Sequence, residues 1–241
     1  MDFTPKTYHT LLAALQNQGY AFQPLVDFLQ HPAPQSVILR HDVEARYPNA
    51  LRFAELQHKM GIRGSYYFRI LNGHFHRDII AQIADMGHEI GYHYDDLSHC
   101  KGDLQAAIRR FEKHLNMLRE IAPVKTICME GAPLSRHDNR DLWSSSTGPE
   151  QSAPDHPPPK PHYRDYGIIG EPYFDVDYSK VLYLTDTRRR WDGHRVSMRD
   201  KIYAGGHPSV QTHGRGIVET HCCASLQVGI RTSVRAGDFD L

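Results

Sequence analysis

The chain has 241 residues, of which 40% are apolar and 23% charged, enough for the core of one domain of moderate size without disulfide or metal staples. Lysine plus arginine balances aspartate plus glutamate at 28 each, so nothing electrostatic points to nucleic acid or an anionic membrane as a partner. No run of ~18 apolar residues occurs, and no transmembrane helix is expected.

The first residues, MDFTPKTYHTLLAALQNQGYAF, lack the basic stretch and following apolar stretch of a secretory signal. Cys100, Cys128, Cys222 and Cys223 show neither CxxC spacing nor a disulfide framework. The expectation is a reduced, cytoplasmic protein. Seventeen histidines are the one compositional excess.

Along the chain, SVILRHDV (36–43) reads as a buried strand ending in polar residues. YPNALRFAELQHKMG follows as a helix, with Pro48 suited to its start and Gly61 to its end. GSYYFRI (64–70) is aromatic and strand-like. HRDIIAQIADMG is helical, with Ile79, Ile80 and Ile83 on one side and Gly87 as a stop. HEIGYH (88–93) is a strand again. In GDLQAAIRRFEKHLNMLREI, the residues Leu104, Ile108, Phe111, Leu115 and Leu118 recur at helical spacing. VKTICME (124–130), YGIIG (166–170) and KVLYLTDT (180–187) read as further strands. Residues 144–161, SSSTGPEQSAPDHPPPKP, hold no aliphatic side chain larger than alanine and read as a disordered insertion. After about Ala204 amphipathic order fades; GIV and SLQVGI are short strand candidates, and the tail 204–241 reads as poorly ordered or foreign to the preceding fold.

Strand and helix alternate four times between residues 36 and 130, which implies a parallel sheet or a barrel. Ligands in such folds sit at the carboxyl ends of strands. The polar residues fall at those ends: His41, Asp42 and Glu44 after the first strand, His93, Asp95 and Asp96 after the third, Glu130 after the fourth. Scattered surface histidines would not cluster in this way. Asp42 and Glu44, two apart, point to the same face of an extended strand.

The blocks ILRHDVE, GSYYFR and GHEIGYHYDDL, with DNRDLW (138–143) and GIIGEPYFD (167–175), resemble a divergent branch of the polysaccharide deacetylase-like proteins with the NodB homology fold, relatives of carbohydrate esterase family 4. The resemblance covers roughly residues 35 to 203. It implies an α/β fold, a distorted (β/α) barrel, over residues 1–203. It also implies a divalent metal, zinc-like, and a metal-dependent hydrolase that removes N-acetyl groups from a sugar or related substrate by cleaving a C–N amide bond. Carried onto this chain, Asp42 aligns with the general base, Glu44 with the metal carboxylate and His93 with the first histidine of an HxxxH motif. The second histidine would stand at position 97, where this chain has Leu97. His99 is the candidate in its place, and Asp95 or Asp96 could also supply oxygen. His41, Asp96 and Glu130 are the candidate substrate contacts. The family's late Leu–His pair has no clear counterpart beyond His207 in GGHPSV, so a late strand and helix of the barrel are expected to be missing.

Each residue also has a plainer reading. Asp42 and Glu44 could cap the next helix, and His93 could be a hydrogen-bonded core histidine. Asp95, Asp96 and His99 could belong to a solvated loop, and Glu130 could form a surface ion pair. His41 reads as structural or as orienting a ligand, His88 and Glu89 as structural, and Cys128 as core. Two other functional readings stand beside the hydrolase: a non-catalytic glycan or nucleotide-sugar binding member of the fold, and an inactive, decayed enzyme. The partner expected in the first two is a small-molecule or glycan ligand.

Overall fold

The computed structural model describes residues 4–71, 75–132, 134–143, 160–178, 181–185, 216–220 and 227–230. Nearly all of the proline-rich segment 144–161 and most of the tail after residue 204, His207 included, lie outside the described residues.

The elements in chain order are α1 (Pro5–Asn17), β1 (Ala21–Phe22), α2 (Leu25–Gln30), β2 (Ser36–Val43), α3 (Tyr47–Lys59), β3 (Ser65–Phe68), α4 (Arg77–Asp85), β4 (Glu89–Tyr94), α5 (Asp96–His99), α6 (Leu104–Arg119), β5 (Val124–Met129), α7 (Pro172–Asp175), β6 (Leu182–Thr185), β7 (Gly216–Thr220) and β8 (Gln227–Ile230). The strand–helix alternation expected over residues 36–130 is present, each element within a few residues of its sequence boundaries. The N-terminal α1, which the sequence reading did not assign, starts where Thr4 accepts a hydrogen bond from the Thr7 amide and Pro5 occupies the first turn. Its Tyr8, Leu12 and Leu15 pack with Val37 and Leu39 of β2.

Strands β1 to β5 form a parallel sheet in the spatial order β5-β4-β3-β2, with β1 on β2. The described strands do not close into a ring. Among the described residues, the outer edge of β5 carries only the isolated bridge Thr126–Gly170. The strand expected at 166–170 is therefore a correction. Its start belongs to a 3-10 turn (Tyr163–Tyr166), and Gly167, at φ 70°, turns the chain before a single rung reaches β5. The strand expected at 180–187 is present as β6. Beyond it, β7 meets β2 in parallel at His41–Thr220, and β8 runs antiparallel to β2 along Val37–Arg40. Among the described residues no helix is long and apolar enough to cross a membrane.

The two faces of the sheet differ. On one, Val43, Tyr66, Phe68, Ile90, Tyr92, Tyr94 and Ile127 pack against α3, α4 and α6 through Ala50, Ala54, Ile80, Ile83, Phe111, Leu115 and Leu118. This cluster holds most of the buried apolar surface and is the main source of stability. The other face carries the alternate residues and is largely polar: Arg40 and Asp42 on β2, Ser65 and Tyr67 on β3, Glu89, Gly91 and His93 on β4, Thr126 and Cys128 on β5. All of these side-chain-bearing residues are buried.

At the amino end of that face, Glu89 accepts hydrogen bonds from Ser65 (2.6 Å), from Thr126 and from the Val26 amide (3.1 Å), while Ser65 accepts from the Leu25 amide (2.8 Å). This network fixes the start of α2 to three strands, and it explains why His88 and Glu89 are structural. His88 itself accepts from the Gly64 amide and donates to the Ala54 carbonyl.

In the middle of the face, Tyr67 crosses β4 to reach Thr126 of β5 at 2.9 Å. It passes directly over Gly91, where an added Cβ would fall 2.3 Å from the tyrosine ring and 3.1 Å from the Thr126 carbonyl oxygen. Gly91→Ala is therefore expected to lower stability by about 1–3 kcal/mol, read as a shift of the urea midpoint at unchanged slope. An unchanged midpoint would show that the ring can move aside at no cost.

Candidate functional site

At the carboxyl end of the same face, side chains from three parallel strands or the turns just after them converge. Asp42 is the last but one residue of β2, Glu44 follows that strand, His93 is the last but one of β4 and Glu130 follows β5. The parallel register brings these ends together: Asp42 lies opposite Tyr67, and His93 opposite Cys128. Parallel strands starting at one edge must end at the other, so residues distant in sequence meet at one rim.

Asp42 is held by Arg40, two residues earlier on the same face. The guanidinium donates from Nε to Oδ1 at 3.0 Å and from Nη2 to Oδ2 at 2.7 Å, and both side chains are almost fully buried. A bidentate pair of this kind fixes the carboxylate plane. Removing one partner of a buried pair leaves the other uncompensated. Arg40 is braced in turn by Tyr173 of α7, whose hydroxyl lies 3.4 Å from Nη2 and whose ring lies 5.4 Å from the guanidinium carbon.

His93 is 1% exposed. Its Nδ1 donates to the Cys128 carbonyl at 3.0 Å, which sets the ring orientation and turns Nε2 toward the acids. Nε2 stands 2.5 Å from Glu130 Oε2 and 3.9 Å from Asp42 Oδ2, yet among the described residues it meets no partner at hydrogen-bonding angles. Burial alone would lower the basicity of this ring, but the charges of Asp42 and Glu130 outweigh it and push the pKa up to about 9. Burial, and then the charge of Glu130, raise the pKa of Glu44.

Two donor sets share His93. One is Asp42, His93 and Cys128, fully buried; the other is Glu44, His93 and Glu130, nearer to solvent. Within each set the candidate ligand atoms lie within 4.8 Å of one another. The donors suit a divalent ion. An imidazole fixed through Nδ1 leaves a nitrogen lone pair on Nε2, and acids crowded enough to raise one another's pKa gain from an added positive charge. Around His93, the four carboxylates of Asp42, Glu44, Asp95 and Glu130 face the three guanidinium groups of Arg40, Arg69 and Arg110.

The structure brings Asp42, Glu44, His93 and Glu130 together and leaves three other candidates apart. His41 points to the opposite face, as strand alternation requires; it is bonded to Gln57 at 2.7 Å and stacked on Tyr66, so it is placed in the core instead of at a substrate site. His99 ends the short helix α5 and is exposed; it belongs to neither donor set. Asp96 is buried beneath α6, accepting from the Tyr92 hydroxyl at 2.9 Å and from Arg110 at 2.6 Å. Leu97, where the motif would have its second histidine, is 5% exposed and packed in the main core. Glu130 stands among the ligand candidates and not merely at a substrate's edge. Arg40, Arg69 and Cys128 were not singled out from the sequence as site residues. Arg40 and Arg69 lie in or just after strands, where the strand-end rule could have flagged them.

A scan against protein-family models and searches of curated proteins and of solved structures return no match to this chain.

The raised pKa of His93 has a sign that can be checked in the ion-free protein. A folded-state value near 9 against about 6.5 when unfolded means the folded protein holds the proton more tightly. The associated stability is fully present below pH 6.5 and is lost as pH rises to about 9, amounting to roughly 3 kcal/mol. Chelator-treated protein should lose stability over this window in urea titrations. Glu130→Gln should flatten the loss, and an equal loss in that variant would contradict the assignment.

Proposed function

We propose that this protein is a metal-dependent hydrolase of the polysaccharide deacetylase type, acting on the amide of an N-acylated sugar or related small molecule or glycan. The observation that carries the reading is the meeting of His93, oriented through Nδ1, with Glu44 and Glu130 beside Asp42 at the carboxyl rim of a parallel sheet. The reading includes a distorted NodB-type barrel in which the polar face of the sheet lines the interior.

Glu44, His93 and Glu130 would hold the ion. An ion bound there supplies Lewis acidity toward the acyl group and lowers the pKa of water. Asp42, held by Arg40, is the group that accepts the proton from water as it adds to the amide carbon, and returns it to the leaving nitrogen. Glu44 and Glu130, whose side chains are 37% and 13% exposed, form the solvent side of the site, with Asp42 and His93 as its floor. Zinc fits a histidine–carboxylate set; with a single imidazole among carboxylates, harder divalent ions fit as well. A protein of this kind working in the cytoplasm would modify a sugar precursor.

One observation favours a second reading, a non-catalytic glycan-binding member of the fold. Leu97 fills the core where the family motif has a ligand histidine, and Asp42 is fully enclosed with Arg40.

Elemental mass spectrometry of the purified protein separates the two. The hydrolase reading expects about one divalent ion per chain, lost in His93→Ala, with uptake that releases about one proton at pH 8, because His93 must be neutral to bind. Release of acetate from N-acetyl sugars should vanish in His93→Ala and Asp42→Ala. Absence of metal after reconstitution, with glycan binding intact, would overturn the hydrolase and leave the binding protein.

A further inference from the structure

Arg69, just past the end of β3, is held in an unusual way. Its Nε and Nη2 both donate to Asp95 Oδ2, at 2.9 and 2.6 Å. Asp95 is anchored on its other oxygen by Arg110 at 2.5 Å, and its side chain is 2% exposed. Half of the guanidinium fork is thus clamped from behind by a buried carboxylate that is itself tied to α6. The other half, Nη1, is turned toward the donor set. It stands 3.9 Å from Glu130 Oε1 and 4.0 Å from Glu44 Oε2, beyond hydrogen-bond distance of either. The side chain keeps 24% of its surface exposed, and that of Glu44 37%.

Nη1 lies at ion-pair distance from Glu44 and Glu130 without hydrogen-bonding either. Here the rigid edge serves Asp95, and two N–H groups are presented, without a hydrogen-bond acceptor among the described residues, to the space in front of Glu44, His93 and Glu130. Guanidinium is suited to planar oxygen pairs such as carboxylates. The charges of Glu44 and Glu130 oppose the approach of an anion, and a cation bound at the donor set would offset them.

We propose that Arg69 is the carboxylate-binding residue of this site, taking through Nη1 a carboxylate released from, or carried by, the substrate. The inference rests on the metal-dependent reading above. It adds a ligand class, a small carboxylate or a sugar acid, and a cation outside the metal ligands that holds it. Asp95 and Arg110 act through Arg69 by keeping its fork in place.

The test is a titration of acetate, and separately of glucuronate, into the zinc-loaded full chain. It is followed at the arginine Nε–Hε resonances by NMR. Arg69→Lys, which keeps the charge opposite Asp95, identifies the Arg69 resonance by its loss. The expected result is a saturable shift of that resonance, with binding weakened about tenfold in Arg69→Lys and zinc stoichiometry unchanged. Tighter acetate would assign the carboxylate to the released acyl group, tighter glucuronate to the sugar. Zinc uptake without carboxylate binding, or binding of equal strength in Arg69→Lys, would overturn the role of Arg69 while leaving the metal site standing. Failure to take up zinc at all would remove the metal reading and this inference with it.

Discussion

The pleat of β2 to β5, held in parallel register, is the constraint on which the rest of this structure depends. Successive side chains of a strand point to opposite faces. Four neighbouring parallel strands, with one shift of register between β4 and β5 at Ile90–Tyr92, therefore sort their residues into two populations: one buries rings and branched aliphatics against α3, α4 and α6, and the other collects Arg40, Asp42, Tyr67, Glu89, Gly91, His93, Thr126 and Cys128. A slip of one residue in β4 would exchange His93 for Tyr92 or Tyr94 and put a charged group into the apolar layer. Packing on one face thus enforces the chemistry on the other.

A buried polar face is costly unless its groups satisfy one another. The structure meets that cost in three tiers. Glu89 with Ser65, Thr126 and the first amides of α2 forms the amino-terminal tier. Tyr67 spanning Gly91 to Thr126 forms the middle. Arg40 with Asp42, and the Arg69–Asp95–Arg110 chain, form the carboxyl-terminal tier. In the last tier, among the described residues, the buried Nε2 of His93 faces carboxylates without a partner at hydrogen-bonding angles. The convergence of Asp42, Glu44 and Glu130 on His93 is what singles out this rim, and it is the feature a divalent ion would complement.

The rigidity of the rim bears on what it could do. Asp42 is fixed in plane by a bidentate pair, His93 by its bond to the Cys128 carbonyl, and Arg69 by Asp95. Each functional atom is held by a residue of the sheet or of a helix packed on it, which suits a site that must present its groups in a fixed arrangement. Glu44 is the exception, lying past the end of β2 and partly in solvent. It is the candidate ligand with most freedom to adjust to an ion.

The sequence by itself determined the elements of residues 36–130, the parallel connection implied by their alternation, and the location of polar residues at the carboxyl ends of the strands. These are consequences of local periodicity and chain direction. It also placed Asp42, Glu44 and His93 among the candidates, because alternation and strand ends are visible in a linear pattern. Tertiary structure alone decided which of the remaining polar residues join them. His41 and Asp42 are neighbours in sequence and part company at the pleat. His99 lies near His93 in the chain, yet helix α5 carries it into solvent. Glu130, far along the chain, comes to 2.5 Å from His93 because β5 is the parallel neighbour of β4. Register between strands, and the side-chain orientations it locks, are set by packing between distant segments, and no single stretch of sequence contains them.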